Sequence, residues 1–239
     1  MRHEIRTWHS PSLGRPMTLQ VFGHGGARLL VFPTSMGSHR EWPDRRMHRV
    51  LEDHLENRWV QMFCLDHVHD ESWYNKRVHP GARAWRHLQY DAYLRDEVVP
   101  FTRSVNDNPF TIATGASFGA YHAACFGFRN PHLVNRIIGM SGVYDVKEMT
   151  AGFSDGNVYA CNPFDFMRHE HDPRRLEAFR RQDIILATGE GDPYCKNNRA
   201  FSEMLWEKGI GNALRIWDGH AHDWPYWERM IRIYLPGSD

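Results

Sequence analysis

Three short stretches, "GASFG", "GEGDPY" and "DGHAHDW", hold residue types that can act together on a carbonyl carbon. Ser117 is at the centre of Gly115-Ala116-Ser117-Phe118-Gly119, just past the apolar run 110–114. A serine hydroxyl is a poor nucleophile until a base takes its proton, and a histidine base needs a carboxylate to hold its tautomer. Asp192 follows the apolar run 183–188, and His220 and His222 both follow the run 213–217. Serine, acid and histidine thus come in that order, each just beyond its own run. Glu190 and Asp145 are rival acids, and either histidine can be the base.

The pattern G-x-S-x-G is weak alone, because small residues recur in turns and serine often caps helices. Its setting strengthens it. A strand that passes sharply into the alanine-rich helix 118–128 projects the hydroxyl, and Gly115 and Gly119 leave room for the bend. The helix N-terminus favours developing negative charge, which makes the Phe118 N–H an oxyanion donor.

Histidine occurs 16 times, including the pairs His67/His69, His169/His171 and His220/His222. In "DHVHDES", Asp66 and Asp70 could add oxygen ligands, but the H-x-H-x-D-H pattern of a metal hydrolase is broken at Glu71 and Ser72. The expectation is no catalytic metal and no cofactor. Cys64, Cys125, Cys161 and Cys195 form no C-x-x-C pair and are expected to be free thiols, with Cys195 a packing residue.

To position these groups the chain must alternate strands and helices. Residues 2–9 and 17–22 read as an opening antiparallel hairpin, and 28–32, 59–65, 110–114, 134–141, 183–188 and 213–217 as strands buried on both faces. Helical segments are expected over 43–55, 82–104, 118–128, 197–208 and 224–234. The fold class is α/β, with a mostly parallel central sheet, helices on both faces, and function in loops at the carboxyl ends of the strands. Residues 142–182, between the sixth and seventh strands, exceed the usual connection and are read as a small cap within a single domain spanning 1–239. The arginines of "DPRRLEAFRR" read as a solvated helix face.

Lys+Arg and Asp+Glu number 29 each, so charge argues for neither nucleic acid nor an anionic membrane as partner. The N-terminal "MRHEIRTWHS" lacks an apolar signal core and no run suits a membrane helix; the expectation is a soluble, cytoplasmic protein.

Over nearly its whole length the chain resembles the α/β-hydrolase superfamily, and within it the esterase D-like esterases, through "LLVFPTSMGS", "GASFGAYHA", "IIGMSGVYD", "GEGDPY" and "AHDWPYW". The last of these matches the family's histidine followed by a polar residue and Trp, and selects His222 as base over His220. The resemblance implies a serine esterase with a small-molecule ester substrate and the triad Ser117, Asp192 and His222. It also implies a second oxyanion N–H after the third strand. There Pro33-Thr34-Ser35-Met36-Gly37 replaces the common His-Gly pair, and Met36 is the first choice with Ser35 behind it. Ser35, Trp73, Tyr74 and Tyr144 are candidate pocket residues, although Trp73 and Tyr74 could equally pack their loop onto the body of the protein. Acyl transfer through the same acyl-enzyme, or a catalytically silent binding module, are the alternatives.

Overall fold

Successive short runs of Val, Ile, Leu and Phe can be buried on both sides only inside a sheet covered by helices. The computed structural model, described for residues 1–236, places them there. The strands are β1 (His3–Ser10), β2 (Arg15–Phe22), β3 (Ala27–Phe32), β4 (Val60–Leu65), β5 (Thr111–Ala116), β6 (Arg136–Met140), β7 (Asp183–Gly189) and β8 (Ala213–Trp217). Their order in the sheet is β1-β2-β4-β3-β5-β6-β7-β8. The β1–β2 and β2–β4 pairs are antiparallel and the rest parallel. All eight expected strands are present, and the opening hairpin turns at Gly14, whose φ is 65°.

The helices are α1 (Glu41–Asp44), α2 (Met47–Val50), α3 (Glu52–Glu56), α4 (Pro80–Tyr93), α5 (Val99–Val105), α6 (Phe118–Arg129), α7 (Gly156–Ala160), α8 (Pro163–Arg168), α9 (Pro173–Arg180), α10 (Cys195–Glu207) and α11 (Trp224–Tyr234). Two expectations need correction. The segment 43–55 is not one helix but short pieces, because Arg46 takes a left-handed φ of 60°. The segment 82–104 is interrupted by a π-helical stretch at Leu94–Val98. Pro100 lies just beyond it and supplies no N–H to an α-helical ladder.

Period-two alternation divides the core. Leu30 and Phe32 point with Phe63 and Ile137 toward Tyr90 of α4, Tyr121 of α6 and Phe201 of α10. Leu29 and Val31 point with Met62 and Ile138 toward Trp42, Leu51 and Leu55 on one side of the chain and Trp227, Met230 and Ile231 of α11 on the other. Each such fully buried side chain is worth about 1.5–3 kcal/mol relative to exposure, so both helical layers are held firmly to the sheet. The carboxyl ends of β3, β4, β5, β7 and β8 consequently open on one common edge.

Candidate active site

The turn after β5 begins with two glycines whose missing side chains let α6 cross the strand. A Cβ on Gly119 would lie 2.4 Å from the Phe32 carbonyl oxygen, and one on Gly115 would lie 2.4 Å from the Gly119 carbonyl carbon. Between them Ser117 has φ 54° and ψ −121°. For a residue with a Cβ this conformation costs on the order of 1–3 kcal/mol. The donation of the Ser117 N–H to the Met140 carbonyl of β6, at 2.8 Å, helps to hold it. The strained turn projects the hydroxyl at the amino end of α6.

The histidine loop is fixed from beneath. Trp227 Nε1 donates to Ser141 Oγ at 3.0 Å, and Ser141 Oγ donates to the Ala221 carbonyl at 2.9 Å. The Trp227 ring meets the His222 ring edge-on at 5.4 Å. His222 Nε2 is 3.2 Å from Ser117 Oγ, and His222 Nδ1 is 2.9 Å from Asp192 Oδ2. Since a carboxylate only accepts, Nδ1 carries the hydrogen and Nε2 is left bare toward the serine.

Asp192 also accepts the Tyr194 N–H at 2.8 Å through its other oxygen. Burial pushes its carboxyl up, but the bonds from His222 and Tyr194 outweigh that and hold it below its ordinary value. The acid and histidine loops are tied by the Gly191 N–H donating to the Gly219 carbonyl at 2.9 Å. The rivals do not reach this chain: Asp145 accepts from Asn162 and the Lys147 N–H, and Glu190 is exposed. His220 is exposed, with Nδ1 3.2 Å from the Gly191 carbonyl oxygen.

Beside Ser117 is a cavity of about 100 Å³ lined by residues that include Ser35, Tyr74, Phe118, Glu148, Met149 and Tyr194. It adjoins a larger hollow of about 510 Å³ that shares Val143, Asp145, Glu148 and Tyr194 and extends to Lys147 and Lys196. Ser35 and Tyr74 are thus at the cavity, joined by a 2.5 Å bond between their hydroxyls. Trp73 and Tyr144 are not. Both are fully buried in the core, Trp73 edge-on to Tyr121 and Tyr144 stacked on Phe201, because their rings fill space under the loops that carry them. Tyr194 went unnoticed in the sequence, although it directly follows Gly-Asp-Pro. Val143, Glu148 and Met149 carried no sequence signal, since the path of the 142–182 segment brings them here.

The loop after β3 corrects another expectation. The Met36 N–H is turned inward to His69 Nδ1, 3.1 Å away, and does not face the cavity as a free donor. The Thr34 N–H goes to Glu41 at 2.8 Å, the Gly37 N–H goes to the Thr34 carbonyl at 3.1 Å, and Pro33 has none. The Ser35 N–H is the one in this loop with no protein acceptor among the described residues.

Among the described residues no group of three His, Cys, Asp or Glu side chains is arranged to hold a metal ion. His169 and His171 are on the surface, and the four cysteines are free and buried. No described helix is long and apolar enough to cross a membrane.

In comparisons with known proteins the sequence matches no family model and no curated relative. Solved structures do match. A ferulic acid esterase superposes with a TM-score of 0.80 at 17% identity, covering 99% of this chain and 97% of its own. An S-formylglutathione hydrolase (FrmB) from Staphylococcus aureus gives 0.73 at 15% identity, covering 99% and 95%. Another S-formylglutathione hydrolase, from Agrobacterium tumefaciens, gives 0.76 at 13% identity, covering 98% and 93%. At these identities the likeness speaks for architecture, and with the strand order and the loops described above it leads to one conclusion: the chain has the α/β-hydrolase fold.

Proposed function

We propose that the protein is a serine hydrolase of carboxylic esters. The observation that carries this reading is the unbroken chain from Asp192 Oδ2 through His222 to Ser117 Oγ, with the serine on a strained turn at a helix N-terminus. Ser117 Oγ attacks the ester carbonyl carbon while His222 Nε2 takes its proton. Asp192 holds the tautomer and stabilises the imidazolium that forms. The carbonyl oxygen becomes an oxyanion, received by the Phe118 N–H and by the Ser35 N–H from the loop after β3, both residues lining the cavity beside Ser117. His222 then protonates the departing alkoxide, leaving an acyl-enzyme, and water activated by the same histidine releases the acid.

The cavity beside Ser117 suits a small group on one side of the ester. The polar hollow next to it, with Lys147, Lys196 and Glu148 on its walls, suits a hydrophilic group on the other. In this reading residues 142–182 serve as a small cap whose first turn shapes both spaces.

The test uses a short-chain aryl ester and a fluorophosphonate probe. Wild-type protein should hydrolyse the ester and be labelled on Ser117, and Ser117→Ala should do neither. Labelling that persists in Ser117→Ala would sink the assignment.

A further inference from the structure

The histidines of Asp66-His67-Val68-His69 take no part in the triad, yet they lie directly behind the loop after β3. His69 is 1% exposed and accepts the Met36 N–H at Nδ1. Because that partner is a donor, Nδ1 is bare, and a neutral imidazole then carries its hydrogen on Nε2. His69 Nε2 is 2.8 Å from Nε2 of His122, itself 3% exposed in α6, so His122 accepts. His67 completes the arrangement. Its Nδ1 accepts the His69 N–H at 2.8 Å and its ring stacks on that of His69 at 3.9 Å.

One imidazole from the loop after β4, braced by a second, therefore clamps the loop after β3 at Met36. A third, from the helix that Ser117 opens, sets the tautomer. Burial, with His67 and His87 nearby, holds His69 well below its ordinary value, so it stays the neutral acceptor this arrangement needs. An apolar side chain would fill the same space; the imidazole adds an acceptor at one end and a donor at the other, and both are used. His69 also meets the Phe118 ring edge-on at 5.1 Å, which links both sides of the proposed oxyanion site to one side chain.

The geometry points to His69 as a positioning residue for oxyanion stabilisation: by capturing the Met36 N–H it fixes residues 33–37 with the Ser35 N–H left unpaired beside Ser117, and His122 holds it in the required tautomer. This inference rests on the serine esterase reading. His69 does not touch the substrate, so its effect should fall on the transition state and not on ground-state binding.

The experiment compares wild type, His69→Phe, which keeps a ring but has no acceptor, and His69→Asn, whose amide oxygen can take the place of Nδ1. Each is assayed for kcat, KM and inhibition by a trifluoromethyl ketone, which forms an anionic hemiketal on the serine. His69→Phe should lose about 10- to 100-fold in kcat, part or all of what one oxyanion donor is worth. Its ketone inhibition constant should rise by a similar factor with KM little changed, and His69→Asn should recover most of both. The inference is overturned if folded His69→Phe keeps wild-type kcat, if kcat falls without weaker ketone binding, or if folded His69→Asn recovers nothing. Should His69→Phe not fold, long-range ¹H–¹⁵N spectra of the wild type decide: a bare Nδ1 on His69 supports the inference and a protonated Nδ1 overturns it. A wild type that neither hydrolyses esters nor reacts with fluorophosphonate would sink the esterase reading itself, a separate failure visible without any variant.

Discussion

His222 and the buried histidines behind Met36 are the same residue type in opposite settings. His222 is partly exposed at a cavity mouth, with a carboxylate on one nitrogen and a serine hydroxyl near the other. His69, His87 and His122 are at most 3% exposed, touch one another or aromatic rings, and have no carboxylate partner among the described residues. Burial pushes all three below their ordinary value, His87 to about 3. A histidine that must gain and lose a proton in each cycle needs a counter-charge and access, whereas one that serves as a fixed acceptor needs to be kept neutral. Substitution of His222 should therefore move rate with little effect on stability, whereas substitution of a buried histidine should move acid stability, with a fall in rate as well only at His69, which holds the loop after β3.

The largest expected effect is on rate. His222→Ala should lower kcat by about 10⁴-fold or more, and Asp192→Asn by about 10³- to 10⁴-fold, with melting temperatures near wild type in both. Steady-state kinetics with calorimetry on the same samples separates the two quantities. An alanine variant that kept substantial kcat would remove the contrast.

Next in size is acid lability. The unfolded chain binds protons at these histidines near pH 6.5 and the folded chain does not. Their contribution is full above that pH and is lost as pH falls, at about 1.4 kcal/mol per unit for each. Between pH 7.5 and 5.0 His87, held at about 3, should cost about 2 kcal/mol, and His69 and His122, lowered in the same direction, should add to the loss. Urea unfolding at the two values measures it. The carboxyls of Glu71, Glu97 and Glu170, all held below their ordinary value, add losses only under about pH 4.5.

His87 sharpens the contrast further, because its Nδ1 is buried with no partner among the described residues and its ring packs against Trp73, Tyr90, Tyr121 and His122. His87→Phe should flatten the acid loss by about 2 kcal/mol while kcat stays within about twofold of wild type. The smallest effect belongs to His220, exposed beside His222. His220→Ala should leave kcat and KM within about twofold, and a loss comparable to that of His222→Ala would transfer the base to it.

What could be read from sequence divides along similar lines. The eight strands and the order of Ser117, Asp192 and His222 were legible because a strand buried on both faces leaves a continuous apolar run, and each loop residue sits at a short, countable distance past one. The fracture of 43–55 was not, since Arg46 adopts a left-handed conformation that its type does not announce. The choice between the Met36 and Ser35 N–H groups was likewise hidden. It depends on His69, 33 residues further along the chain, and a hydrogen bond across two loops leaves no local pattern. Trp73 and Tyr144 show the same difficulty from the other side: an aromatic next to a functional loop reads alike whether its ring points into the pocket or beneath it. The His-x-His of 67–69 was visible as a motif, and its use as a clamp emerged only once α6 had brought His122 against it.

The most direct test of the central claim is mass spectrometry of the fluorophosphonate adduct. Wild-type protein should gain one adduct, mapped to the peptide carrying Ser117, with slow labelling in His222→Ala and none in Ser117→Ala. An adduct on any other residue, or equal labelling of wild type and Ser117→Ala, would contradict it.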